Sequence, residues 1–140
     1  MAVAYTHSFA YLSDRDSGKL FSGLRLAISS PEKRVRTVDT VAQLDTGSDF
    51  SIFDGQLLVG ALGIDLMDGP VILLASSGGF SITGRIHPIE ILHPDLGRFT
   101  LDAAISTVPI RRNLLGHDFF QRIQIGFREF HRTFLITAAP

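Results

Sequence analysis

The chain has 140 residues, 45% of them hydrophobic and 19% charged, and a net charge of −1 from 13 basic and 14 acidic residues. That size suits one domain with its own core, and that composition excludes a disordered chain and a general polyanion binder. Cysteine is absent, which excludes disulfides, thiolate metal sites and thiol nucleophiles.

Residues 1–19 read as an N-terminal arm or extra strand, with Val3–Leu12 as the strand and Ser13–Gly18 as a polar turn. The main domain is expected over 20–140. Leu24, Leu26 and Ile28 alternate as a half-buried strand does, and Ser29–Lys33 forms a loop. Val35–Leu44 is a second strand, which delivers Asp45. Asp54 is a helix N-cap, Leu57, Leu58, Ala61 and Leu62 form a stripe, and Gly63 is a stop, so 54–62 is one short helix. Val71–Ala75 and Phe80–Leu92 are strands joined through Ser76-Ser77-Gly78-Gly79 as a glycine-tipped hairpin. His93–Gly97 turns the chain into a strand at Phe99–Ile105. A short helix is expected at Asp118–Arg122, and a closing hairpin pairs Ile123–Phe127 with Thr133–Thr137. The sum is about eight short strands and two short helices, an all-β domain of small closed-barrel type.

Several chemistries have no motif here. The chain lacks G-x-S-x-G, H-E-x-x-H and a GK[ST] phosphate loop. His7, His87, His93, His117 and His131 are scattered without ligand spacing, so no metal and no cofactor are expected. The basic clusters Lys33–Arg36 and Arg111-Arg112 are short and lack interleaved aromatics, so they read as solvated charges with no nucleic-acid role. No apolar run approaches the roughly 18 residues of a membrane span. No basic segment precedes an apolar one at the N-terminus, which makes the cytoplasm the default location.

Asp45-Thr46-Gly47-Ser48 breaks the end of an apolar strand. Asp and Gly are ordinary turn residues, so a plain turn in an unrelated β-barrel is one reading. Context supplies the other. The motif precedes the apolar pair Ile52-Phe53, a glycine-tipped hairpin follows, and Asn113-Leu114-Leu115-Gly116 comes late. In that order, over about 20–137, these parts resemble the retroviral-type (retropepsin-like) aspartic proteases. The family has a D-T/S-G catalytic loop, a hairpin flap and a late apolar-apolar-Gly strand.

The resemblance implies an aspartic endopeptidase. Asp45 would be the catalytic acid, Thr46 a bond across a two-fold axis, and Gly47 the open approach for water and substrate backbone. Ser48 and Asp49 would contact substrate, although a structural acid is an equal reading of Asp49. Gly78, Gly79 and Phe80 would form the flap tip, and Val108, Pro109 and Ile110 a pocket wall. Two carboxylates about 3 Å apart share a proton, so one serves as base and the other as acid. One chain carries one such loop, so the resemblance implies a homodimer acting on a protein or peptide substrate. The family's frequent Arg after the apolar-apolar-Gly motif is His117 here, facing Asp49 in that scheme, while an exposed residue at the start of the short Asp118–Arg122 helix is an equal reading of His117. The alternative is a non-catalytic module of the same fold that binds extended peptide.

Overall fold

A computed structural model describes residues 4–75, 79 and 81–138. In chain order its elements are β1 (His7–Ala10), β2 (Leu12–Ser13), β3 (Leu20–Phe21), β4 (Gly23–Ser30), β5 (Lys33–Leu44), β6 (Ile52–Asp54) and α1 (Gly55–Leu62). There follow β7 (Val71–Ala75), β8 (Ser81–His93), β9 (Gly97–Ser106), β10 (Asn113–Leu115), α2 (His117–Phe120), β11 (Ile123–Arg128) and β12 (Thr133–Ala138). The domain is all-β with two short α-helices among the described residues. Among the described residues twelve strands stand where about eight were expected, because two apolar runs are each divided and the short segments β6 and β10 are strands as well.

Both divisions have a visible cause. Val3–Leu12 divides after Tyr11: the Tyr11 N–H still follows the β1–β12 register to the Arg132 carbonyl at 2.9 Å, and Leu12 then pairs with Phe21 of β3. The run from Leu20 breaks at Ser22, since β3 turns away to pair with β2 while β4 pairs with β5.

The main sheet has seven strands in the order β4-β5-β10-β6-β9-β8-β7. A further pairing of β4 with β8, Ile28 opposite Ile91, closes it into a ring. β4 and β5 are antiparallel with Leu24 opposite Ala42 and Ile28 opposite Val38. The alternation seen in β4 therefore points Leu24, Leu26 and Ile28 inward. Within the ring, Phe53, Leu58, Leu62, Ile89, Ile91, Phe99, Leu115 and Phe119 form one core. Burying each such side chain stabilises the fold by about 1.5–3 kcal/mol before ordering entropy is counted.

The helix follows its local signals. The Asp54 carboxylate accepts the Gln56 N–H, and Gly63 ends the helix in the left-handed region at φ 67°. Leu58 and Leu62, one turn apart, meet the core.

A second sheet, in the order β1-β12-β11, carries the chain's ends. Phe134 and Ile136 of β12 are buried there, with Phe9 stacked on Phe134 at 5.3 Å between centroids. The β2–β3 hairpin spans the boundary between residues 19 and 20.

Candidate active site

Asp45 follows the last residue of β5. Its N–H donates to the Leu115 carbonyl at 2.9 Å, which prolongs the parallel β5–β10 ladder by one step. The turn then forms around the side chain. The Asp45 carboxylate accepts the Gly47 N–H at 2.9 Å through Oδ1, and the Asp45 carbonyl accepts the Ser48 N–H at 3.2 Å. This is an Asx-type turn, which fixes the acid's orientation through its own backbone. Asp45 is half-buried, while Thr46, Gly47 and Asp49 are exposed.

The segment after β10 supports the loop from beneath. Leu114 lies beside Gln43 on one flank and opposite Ile52 on the other, so β10 sits between the strands that enter and leave the loop. Gly116 is required by close approach: a Cβ there would stand 2.5 Å from the Ser48 carbonyl oxygen and 2.6 Å from that of Phe50. The His117 N–H donates to the Ser48 carbonyl at 2.9 Å. The Ser48 hydroxyl is turned to the Phe50 carbonyl at 2.7 Å.

His117 does not meet Asp49. Its Nε2–H donates to the Thr46 carbonyl at 2.6 Å, and the exposed ring stands at the start of α2. The expected acid–base pair is thus replaced by a bond to the loop backbone. The reason is geometric: the helix begins directly beneath Thr46.

Sequence reasoning missed two supports. Asp118 accepts the N–H and hydroxyl of the fully buried Ser51, at 3.0 and 2.6 Å. The Ser51 hydroxyl oxygen in turn accepts the Gly116 N–H at 3.2 Å. Asn113 bridges three strands. Its amide oxygen accepts the Asp54 N–H at 2.9 Å, and its Nδ2 donates to the Thr40 hydroxyl at 2.9 Å. The available signal was a polar residue on either side of the Leu114-Leu115-Gly116 run.

Of the expected flap tip, Gly78 and Phe80 lie outside the described residues. Gly79 is exposed with φ 81°. Below it, β7 and β8 pair from Val71–Arg85 to Ala75–Ser81. The expected pocket wall is divided between two clefts. Val108 lines one against Val59 and Leu66, and Ile110 lines another with Arg111, Arg112 and Gln43. Val108 is tied to Ser106, whose hydroxyl donates to the Val108 carbonyl and whose oxygen accepts the Val108 N–H. Among the described residues no group of three or more His, Asp or Glu side chains is placed to hold a metal.

The backbone architecture that carries this turn has counterparts among solved structures. A retropepsin-like aspartic protease from Rickettsia conorii superposes with a TM-score of 0.64 over 99% of this chain and 98% of that one, at 13% identity. EIAV protease complexed with the inhibitor HBY-793 superposes with a TM-score of 0.53 over 77% of this chain and 91% of that one, at 16% identity. The fold is retropepsin-like. No protein-family model matches the chain, and no curated protein matches it. The retropepsin-like likeness is therefore one of backbone architecture, and it extends through the N-terminal strands. No helix among the described residues is long and apolar enough to cross a membrane.

Proposed function

We propose that this chain is an aspartic endopeptidase that works as a homodimer, with one Asp45 from each subunit. The observation that carries the reading is the Asp45 turn. A half-buried carboxylate is oriented by the Gly47 N–H at a parallel-strand junction, in a fold shared with aspartic proteases.

The chemistry follows from the pair. Two carboxylates brought together across a two-fold axis cannot both ionise easily and hold one proton between them. The ionised one takes a proton from water. The protonated one gives its proton to the oxygen of the scissile carbonyl as the water oxygen adds to carbon. In the second step one carboxyl protonates the amide nitrogen while the other carboxylate takes a proton from the gem-diol, and the C–N bond breaks to leave an acid and an amine. Both carboxylates must be in place before the step, which is why rigid loops serve it.

The loop's neighbours take roles by position. Thr46 is exposed and its carbonyl is fixed by His117, which leaves its hydroxyl for the bond across the axis. Gly47 offers no side chain to obstruct water or substrate. Ser48 spends its hydroxyl on the Phe50 carbonyl and shapes the loop, while the exposed Asp49 is free to meet substrate backbone. The β7–β8 hairpin acts as the flap.

The test is cleavage of a peptide library between about pH 4 and 7, where a carboxylate pair shares its proton. Asp45→Asn is the control. Cleavage by the wild type and none by the variant is the expected result. Binding without cleavage by the wild type would instead favour a peptide-binding module.

A further inference from the structure

Beside Asp45 lies a cleft with a charge pattern that the cleavage reaction does not use. Along β5, Ala42 and Leu44 are buried in the core, whereas Val41 and Gln43 line a cavity of about 620 Å³ on the other face. Asp45 continues the same ladder through its bond to Leu115. Asp45 does not line the cavity itself but stands two residues beyond Gln43, roughly 7 Å farther along the chain. The opposite wall is the segment that leads into β10, with Arg111 and Arg112, and the turn after β2, with Asp14.

These groups converge on one oxygen. Arg111 and Arg112 both bond Asp14 Oδ2, the former at 3.2 Å. The other oxygen of Asp14 accepts the N–H groups of Asp16 and Ser17 at 2.9 and 3.0 Å. Arg112 is held further by Gln43 Oε1 at 3.0 Å and by the Phe21 ring, 3.9 Å beneath its guanidinium carbon. Its side chain is 23% exposed, and that of Asp14 is 9%. Arg111 differs. It is 68% exposed, and among the described residues only its Nη2 is engaged. Two guanidinium groups thus meet a single carboxylate, which leaves one positive charge and unused planar donors turned toward the cleft.

Resting on the protease reading above, we propose that Arg111 and Arg112 form a carboxylate subsite beside the catalytic loop. Asp14 is its built-in occupant, and Arg111 recruits an acidic side chain of the peptide substrate. Asp14 shows which chemistry the pair accepts. Arg112 is the fixed member, oriented by Gln43 and Phe21, and Arg111 is the exposed member that selects. The bound residue lies a few positions from the cut bond, since the cleft begins one strand pleat from Asp45.

The experiment uses octapeptide pools that differ only in Glu or Gln at one position. Two readouts are taken: cleavage by the wild-type protein and binding to Asp45→Asn, followed by fluorescence anisotropy. The expected result is a single position at which Glu lowers KM about tenfold, with kcat little changed, and tightens binding to Asp45→Asn by a similar factor. Arg111→Gln should abolish the preference, and Arg111→Lys should restore part of it. Asp14→Asn should widen the Glu preference by removing the internal competitor. A purely structural latch would leave the Glu-to-Gln ratio the same in all of these variants, and that result overturns the subsite. Cleavage with no acidic preference overturns it while the protease reading stands. An acidic preference in binding without cleavage supports the subsite and sinks the protease reading.

Discussion

Asp118 holds Ser51 by two hydrogen bonds, at 3.0 Å from its N–H and 2.6 Å from its hydroxyl, and Ser51 is fully buried. The pair joins the segment after the Asp45 turn to the segment after β10, because Ser51 also receives the Gly116 N–H. Asp118→Ala would leave a buried N–H and a buried hydroxyl without this acceptor. The expected loss is about 2–4 kcal/mol of stability, since each stranded polar group costs about 1–3 kcal/mol and the loop can partly relax. Urea unfolding measures it. A loss under half a kcal/mol would show that water replaces the carboxylate.

Asp45 itself should behave in the opposite way. Its carboxylate accepts one N–H from within its own turn, at 2.9 Å from Gly47, and an amide oxygen in Asn can accept the same bond. Asp45→Asn should therefore keep the fold while peptide cleavage falls by several orders of magnitude, as when a central catalytic group is removed. Near-normal turnover by a pure preparation would end the proposed mechanism.

The contrast between these two residues shows what a sequence displays. Asp45 is visible because its signal is local, an acid and a glycine breaking an apolar strand. Helix α1 is legible for the same reason, with its cap at Asp54 and stop at Gly63. Strand Val71–Ala75 is bounded as its composition suggests. Asp118 is not legible, since its partner lies 67 positions away and nothing in either segment names the other. Asp14 and Arg112 are 98 positions apart and equally silent. Apolar character does not state direction: of Val108, Pro109 and Ile110, expected as one wall, Val108 lines one cleft and Ile110 another.

Dimerisation has a measurable consequence. If each active site needs two copies of Asp45, specific activity must fall on dilution through the dissociation constant of an isologous dimer. Of the apolar side chains of the C-terminal hairpin, Ile123, Phe134 and Ile136 are taken by the subunit's own core, whereas Phe127 is exposed. Phe127→Ser should move the dilution midpoint up by about tenfold, the size of a modest interface contact. Full activity from a species that sediments as a monomer would refute the shared site.

Gly79 tests the flap. Its φ of 81° lies in the region that β-branched residues avoid, and among the described residues none comes within 4 Å of the place where a Cβ would be. Gly79→Val is thus strained by backbone alone, by about 1–2 kcal/mol, with nothing in the core disturbed. The strain can be released by local distortion of an exposed tip. The unfolding midpoint should barely move while kcat/KM drops more than tenfold. Equal losses in stability and activity would make the tip a structural turn rather than a lid.

His93 sets an acid limit on the fold. Its Nδ1 accepts the N–H of Asp95 at 3.1 Å and of Leu96 at 3.3 Å, so the ring caps the β8–β9 turn as an acceptor. Phe9 packs edge-on against it at 5.4 Å. Burial lowers the pKa of His93, the nearby His7 pushes the same way, and Asp95 opposes both. Below its ordinary value of 6.5 the unfolded chain takes up a proton that the folded chain resists. The unfolded state then binds more protons, so stability falls as pH falls. The penalty starts near that unfolded value and is complete once pH has dropped through the lowered folded one. Asp14, held below its ordinary 3.8 chiefly by Arg112, works the same way but only in more acidic solution, so the two windows separate. His93→Asn keeps an acceptor for both N–H groups and has no proton to gain. Urea midpoints of the wild type should decline between about pH 7 and 5, and those of His93→Asn should stay level across that range. Parallel declines in the two proteins would assign the acid sensitivity to another group.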